Sequence, residues 1–477
     1  MPTEIPISPM STERFRSVLA PERYDAFEQA AREGRELLKG RAVWNVNSTG
    51  RGGGVVELLR SLVAYARGAG VDARWVVIDG TPEFFAVTKR IHNNLHGAEG
   101  DGLPLDEDAR RVYDQVLAEN MAQLAPRIQA GDVVIVHDPQ PAGMIDGLRA
   151  AGAMVIWRCH VGTDVPSDLA RRAWSFLLPY LARADAYVFS RESFAWAELP
   201  RDRVHVIPPT IDVFSPKNED LEPGIVRAAL VASRLLDDGG EHPPAIFRRQ
   251  DGTPGRVERR ARVVEDEPLR PDAPVVLQVS RWDLLKDPVG VIRGFAEHVP
   301  ADTGAHLVYA GPDVEAVGDD PEGARVLRES IALRDRLPAE ARSRVHLATL
   351  PMADTEENAA IVNALQRHAS VIVQKSLAEG FGLTVAEAMW KARPVVASRI
   401  GGIREQIVHG DSGVLLGDPR DLAAYGAAVT DLLNDPDQGE QMGRRARERV
   451  RDNFLNVRSL LDYLRLIRTL LRVAART

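Results

Sequence analysis

A single cysteine, Cys159, stands among 477 residues, which excludes an intrachain disulfide, a multi-thiolate zinc site and dithiol redox chemistry. Hydrophobic runs are short. None approaches the roughly 18 to 20 apolar residues that span a bilayer, so no integral membrane protein is expected. The opening MPTEIPISPMSTERF has neither a basic n-region nor an apolar h-region, and without a secretory signal the expected compartment is the cytoplasm. Positive charge is not in excess either: 60 Lys and Arg stand against 68 Asp and Glu, a formal net charge of −8. Wholesale nucleic-acid binding needs a clustered basic surface instead. The one dense basic stretch, residues 247–262 (FRRQDGTPGRVERRAR), runs on into Glu265, Asp266 and Glu267, and it reads as a self-paired, solvated segment.

What is present belongs to a globular protein, 44% hydrophobic and 27% charged, and too long for one hydrophobic core. Short β-branched runs alternate with longer amphipathic segments from residue 42 onward. Ala42–Val46, Arg74–Ile78, Val133–Val136, Met154–Trp157, Ala186–Phe189 and Val204–Ile207 are bounded by Gly, Pro or Asp, as buried parallel strands are. Val55–Arg67 sets apolar residues at helical spacing. The alternation pauses after Pro208-Pro209 in a region rich in Pro, Gly and charge, then restarts with Val275–Val279, His306–Ala310, Val345–Leu347, Val371–Val373, Val395–Ser398 and Val414–Leu416. This is an α/β pattern of two Rossmann-like, doubly wound domains, residues 1–215 and 216–455. The amphipathic Phe454–Ala474, within the closing span 456–477, is expected to pack back on the first domain. Ligands of such sheets sit beyond the carboxyl ends of the strands, so both domains' chemistry is expected to converge on a shared cleft.

Three segments carry chemistry. Thr49 to Gly54, TGRGGG, follows a strand and precedes a helix, where glycines let backbone amides approach a phosphate. A dinucleotide fingerprint would need glycine at position 55, where Val55 stands. An ordinary tight turn explains the segment equally well. In QVSRWDLLKDP (278–288), Arg281 and Lys286 stand at a strand's carboxyl end, where two cations can hold a diphosphate. In KSLAEGFGLTVAEAMW (375–390), Gly380 and Gly382 bracket Phe381, and Thr384 to Glu387 reads as a capping box, with a helix starting at Thr384. Amides near Leu383 and Thr384 could receive a phosphate. Glu387 has a capping explanation alongside a binding one, whereas Glu379, in a glycine loop, has no capping duty.

These residues resemble the retaining nucleotide-sugar glycosyltransferases of family four, and within it the trehalose-forming branch. The likeness runs over VNSTGRGGGVVELL (46–59), VHDPQPAGM (136–144), WRCHVGTD (157–164), PPTIDVFSPKN (208–218), QVSRWDLLKDP (278–288) and EGFGLTVAEAMWKARPVVASRIGGI (379–403). It implies two facing Rossmann-like domains, the GT-B architecture, with the active site between them. It also implies transfer of glucose from ADP-, UDP- or GDP-glucose to free glucose, giving trehalose reversibly.

Residue by residue, the resemblance gives Glu379 the donor glucose near its 3-hydroxyl, Glu387 the ribose, and Arg281 with Lys286 the diphosphate. Gly52, Gly53, Gly54, Gly380, Phe381, Gly382, Leu383 and Thr384 would line the donor and its phosphates. His160 would contact the donor sugar with its backbone carbonyl facing the anomeric carbon, and Asp138, Gln140 and Asp164 would meet the acceptor. No cofactor is required; magnesium would act only as a stimulant through the nucleotide, and a homodimer is compatible with the pattern. Trehalose phosphorylases share the glycine loop and the Glu-x₇-Glu spacing and form the alternative, as does a transferase with another sugar acceptor. The charged stretch from about Gly224 to Asp272 departs from the branch.

Overall fold

Apolar runs buried on both faces form the strands, because a strand covered by helices on both sides needs no polar alternation. The first sheet holds β1 (Thr3–Glu4), β2 (Ala42–Asn47), β3 (Asp72–Val77), β4 (Val133–His137), β5 (Met154–Cys159), β6 (Ala186–Phe189) and β7 (Val204–Val206). Every residue of β2, β4, β5 and β6 is buried. The order is β1-β3-β2-β4-β5-β6-β7, parallel throughout except for the short antiparallel edge β1. This computed structural model describes residues 1–50, 53–240, 242–314 and 321–474, divided into two units: Met1–Thr210 with Leu455–Thr477, and Ile211–Phe454. No described helix is long and apolar enough to cross a membrane.

The helix Asn456–Ala474 belongs to the first unit, where Leu466 and Ile467 pack on Val43, Ile135, Ile156 and Val188 of the sheet. Its start is fixed by Asn456, which accepts from Thr210 Oγ1 at 2.9 Å and donates to Ser61 Oγ at 2.8 Å.

The second sheet holds β10 (Arg262–Val264), β11 (Val275–Val279), β12 (His306–Pro312), β13 (Val345–Leu350), β14 (Val371–Gln374), β15 (Val395–Ser398) and β16 (Val414–Leu416), in the order β10-β13-β12-β11-β14-β15-β16. The irregular composition before β11 hides real structure: the helix Pro223–Ala232, the hairpin of β8 (Ile246–Arg248) with β9 (Pro254–Arg256), and β10, an antiparallel edge strand on β13. The basic stretch there is paired, though not with the acids that follow it. Arg249 bonds Asp354 at 2.6 Å and Glu356 at 3.1 Å, and Arg259 pairs with Glu357. Those acids cluster at the start of the helix Thr355–His368, where the helix dipole favours negative charge. Glu265 and Asp266 instead bond His346, Arg334 and Arg342.

In each sheet the strand order reverses once, between β2 and β4 in the first and between β11 and β14 in the second. Loops leaving the carboxyl ends of strands at such a reversal diverge and leave room for a ligand. The loops in question run from Asn47 and from His137 in the first unit, and from Val279 and from Gln374 in the second.

Candidate functional site

In the second unit, two aspartates shape the loop after β11. Asp283 accepts from Leu285 N at 2.7 Å and caps the turn Leu284–Lys286. Asp287 adopts a left-handed backbone, φ 52°, and accepts from Gly290 N at 3.0 Å, capping the helix Pro288–His298. Its other oxygen pairs with Lys375, whose side chain is 0% exposed. Lys286 is delivered between these two turns, and its Nζ bonds Glu379 Oε2 at 2.6 Å, with Ser376 Oγ 3.4 Å from the same oxygen.

A polar floor ties the loops together. Gln278 donates to the Lys286 carbonyl at 2.8 Å and accepts from Lys375 N at 3.1 Å. Gln374 donates to Ser280 and Ser376 and accepts from Thr384 Oγ1 at 2.9 Å. Arg281 is not drawn to Lys286: it is 56% exposed and lies 3.2 Å from Asp283.

The glycine loop closes against a second pair of glycines. Gly402 N donates to Gly380 O at 3.0 Å, Gln406 donates to the Phe381 carbonyl at 2.6 Å, and the Phe381 ring lies 6.0 Å from that of Phe454. The following helix is Leu383–Trp390, and its N-cap is Gly382 at φ 83° rather than Thr384. The capping box therefore does not form. A left-handed glycine already caps the helix two residues earlier, Thr384 is spent on Gln374, and Glu387 lies on the buried face. With 2% exposure, Glu387 sits 3.4 Å from Lys217 Nζ.

In the first unit, the chain leaves β4 through Asp138, a non-glycine residue at φ 65°, held by its own N–H on the Arg158 carbonyl at 2.7 Å. Asp138 Oδ1 accepts from His160 N at 2.7 Å. Burial pushes the Asp138 carboxyl up to about 6. Burial, with the Arg158 cation adding to it, holds His137 down to about 3 and His160 well below the ordinary histidine range. Arg158 itself is 1% exposed and donates to Ser190 Oγ at 3.2 Å.

Gln140 stands part-exposed on the same loop as Asp138. Asp164 is engaged elsewhere, pairing with Arg191 and accepting from Ser193 Oγ at 3.1 Å. Gly53, φ 84°, is the N-cap of the helix Gly54–Gly68, and Gly52 lies outside the described residues.

The structure thus brings together Lys286 with Glu379 and Asp138 with His160, and turns Arg281, Glu387 and Asp164 to other partners. Sequence reasoning passed over Asn45, His137, Arg158, Gln278, Gln374, Lys375 and Lys217. For the strand residues a signal existed: each is a polar side chain inside an otherwise apolar run, which must find a partner when buried.

Comparison with known proteins bears on the same residues. The model of the trehalose synthase N-terminal domain matches residues 45–196, and that of the group 1 glycosyl transferases matches residues 260–449. A trehalose synthase of Rubrobacter xylanophilus is 37% identical over 462 residues, covering 96% of this chain and 97% of the relative. One of Pyrococcus horikoshii is 34% identical over 461 residues, 96% of each chain. A trehalose phosphorylase of Pleurotus pulmonarius is 27% identical over 95% of this chain but only 60% of its own. Among solved structures, a UDP-forming α,α-trehalose-phosphate synthase of Burkholderia xenovorans in complex with glucose-6-phosphate covers 90% of this chain and 100% of its own. Its TM-score is 0.64 at 16% identity, a likeness of fold. The protein belongs to the trehalose synthase family of glycosyltransferases.

Proposed function

We propose that this enzyme moves glucose from a nucleoside diphosphate glucose to the anomeric hydroxyl of free glucose, forming α,α-1,1-linked trehalose with retention, reversibly. The observation that carries the reading is the Lys286–Glu379 pair at the strand reversal of the second unit, 2.6 Å apart. A cation and a carboxylate held side by side suit a ligand that is anionic at one end and rich in hydroxyls at the other. Lys286 and the exposed Arg281 serve the diphosphate, Glu379 the donor glucose, and the Asp138–His160 group of the first unit contributes to sugar binding.

In the step itself, the bond from the anomeric carbon to the diphosphate oxygen breaks as a bond to the acceptor oxygen forms on the same face. The acceptor's hydroxyl proton passes to the departing diphosphate. Charge growing on that diphosphate is stabilised by Arg281 and Lys286; magnesium, where present, acts on the nucleotide and has no place among these residues' roles.

The test is product analysis with ADP-, UDP- and GDP-glucose plus glucose. Trehalose and the matching nucleoside diphosphate are expected with at least one donor. The second reading, a phosphorylase, draws on the fungal relative. Glucose 1-phosphate formed from trehalose and inorganic phosphate, with no nucleotide dependence, would replace the first reading with it.

A further inference from the structure

One chain of hydrogen bonds in the first unit ends at His160 and has a single possible direction. It begins at the Arg74 carbonyl, which can only accept. Asn45 Nδ2 lies 3.4 Å from that oxygen, so the amide's NH₂ faces Arg74 and its Oδ1 faces the other way. Oδ1 lies 3.1 Å from His137 Nε2, which must then carry the hydrogen. His137 is 2% exposed and neutral, since burial and the neighbouring Arg158 cation oppose a second proton. Its Nδ1 is therefore a lone pair, 3.1 Å from His160 Nε2. His160, neutral for the same reasons, can satisfy that lone pair only with hydrogen on Nε2. The rings lie nearly parallel, 15° apart with centroids at 5.4 Å, and Asp138 fixes the backbone beneath His160. His160 Nδ1 has no partner among the described residues, and the side chain is part-exposed.

We propose that Asn45 and His137 are positioning residues that lock His160 as its Nε2–H tautomer, so that Nδ1 accepts a hydrogen bond from a sugar hydroxyl and rejects groups with no proton to give. The identity of the sugar rests on the function proposed above; the tautomer does not. Arg158 takes part from a buried position, bonded to Ser190. Burial, with the Arg158 charge adding to it, keeps both imidazoles neutral, and neutrality is what gives the relay one direction. With a protonated His137, the Nδ1–H would donate and the tautomer of His160 would invert.

Long-range ¹H–¹⁵N spectra of the full chain labelled with ¹⁵N-histidine read this directly, His160 being identified by the signals lost in His160→Asn. Near neutral pH the expected pattern is an unprotonated Nδ1 and a protonated Nε2. A protonated Nδ1 in the unaltered protein overturns the proposal with no further variant. Asn45→Asp supplies the sharper arm. A carboxylate still accepts from His137 Nε2 but stabilises its charged form, so His137 Nδ1–H should donate and His160 should switch to Nδ1–H. Activity should fall by about 10-fold in kcat/KM, because the sugar hydroxyl must turn from donating to Nδ1 to accepting from it and gives up the partner its own hydrogen had. A fall in activity with the tautomer unchanged would assign Asn45 a merely structural role and sink the relay. If the unaltered enzyme shows the expected tautomer yet transfers no sugar from any donor, the relay stands and the proposed function falls.

Discussion

Replacing Gly401 by alanine tests whether the glycine loop's geometry, rather than its composition, sets the donor site. A Cβ at Gly401 would stand 1.7 Å from the Glu379 carbonyl oxygen, against a floor of 3.0 Å for real Cβ contacts. The obstacle is backbone and cannot rotate away, so the Glu379 segment must retreat by about 1.3 Å within a tightly packed turn. Glu379 bonds Lys286 at 2.6 Å, and a retreat of that size carries the pair out of hydrogen-bond range. Misplacing a reacting group by about 1 Å costs roughly 10² in rate. Gly401 also sits at φ +46°, where alanine costs about 1–2 kcal/mol. Gly304→Ala separates the two effects, since Gly304 has φ +63° in the same unit but nothing within 4 Å of its Cβ. Thermal melts and steady-state kinetics on both variants are the assay. Both should melt earlier than the parent, and only Gly401→Ala should lose about 100-fold in kcat/KM. A Gly401→Ala enzyme within about threefold of the parent in kcat/KM would show that the Glu379 position does not limit transfer.

Other perturbations follow from the same contacts. Arg281→Ala and Lys286→Met should each lower kcat by roughly 10² or more with the melting temperature held; near-normal kcat in both removes the diphosphate assignment. Lys375→Met strands the Asp287 carboxylate, and losing one partner of a buried pair costs about 3–5 kcal/mol. Adding Asp287→Asn should recover most of that in calorimetric melts, because Asn keeps the cap on Gly290 and tolerates φ 52°; a double variant no better than the single would contradict it. Below the ordinary histidine value of 6.5, the unfolded chain takes up protons that folded His137 refuses until about 3 and that His160 also refuses. Asp138 acts the other way between 3.8 and about 6, keeping a proton when folded that the unfolded chain has shed. For these three groups alone, two refused against one kept contribute a loss of roughly 1.4 kcal/mol per pH unit as pH falls from about 6 to 4, and the lowered His205, His306 and His368 add to it in the same direction. Melting temperatures between neutrality and pH 4 measure it, and His137→Phe should flatten the slope.

Much of the fold was legible because buried parallel strands announce themselves as apolar runs between breakers, and each such run from Ala42 to Leu416 falls on a strand, with only Ile78 and Ile207 past a strand's end. β10 was not legible: RVV between charges has no apolar pattern, because an edge strand has only one neighbour to face. Strand order could not be read either, since it depends on which strands pair across long separations, yet the order is what picks the loops after β2, β4, β11 and β14. At the site, the cations and carboxylates stood out by residue type while their partners did not. Lys217 lies 170 positions from Glu387 in sequence yet 3.4 Å from it in space, and no local spacing encodes such a pairing. The capping box failed for a related reason: the pattern Thr-x-x-Glu was present, but Gly382 could start the helix in a backbone conformation closed to Thr.

The partners of the acidic and imidazole groups bear on where the acceptor's proton goes in the proposed transfer. Glu379 is bound to Lys286, Glu387 to Lys217, Asp164 to Arg191, and Asp138 to the His160 amide. A carboxylate paired with a cation is a weakened nucleophile, which speaks against a covalent sugar intermediate on Glu379, Glu387 or Asp164. His160 Nδ1 offers a lone pair, but burial and Arg158 hold the imidazole far below its usual basicity. Such a nitrogen accepts a hydrogen bond and does not keep the proton. In the transfer proposed above, a proton released by the sugar hydroxyl passes to the diphosphate oxygen whose charge rises as its bond to glucose breaks, and in that reading the leaving group serves as the base.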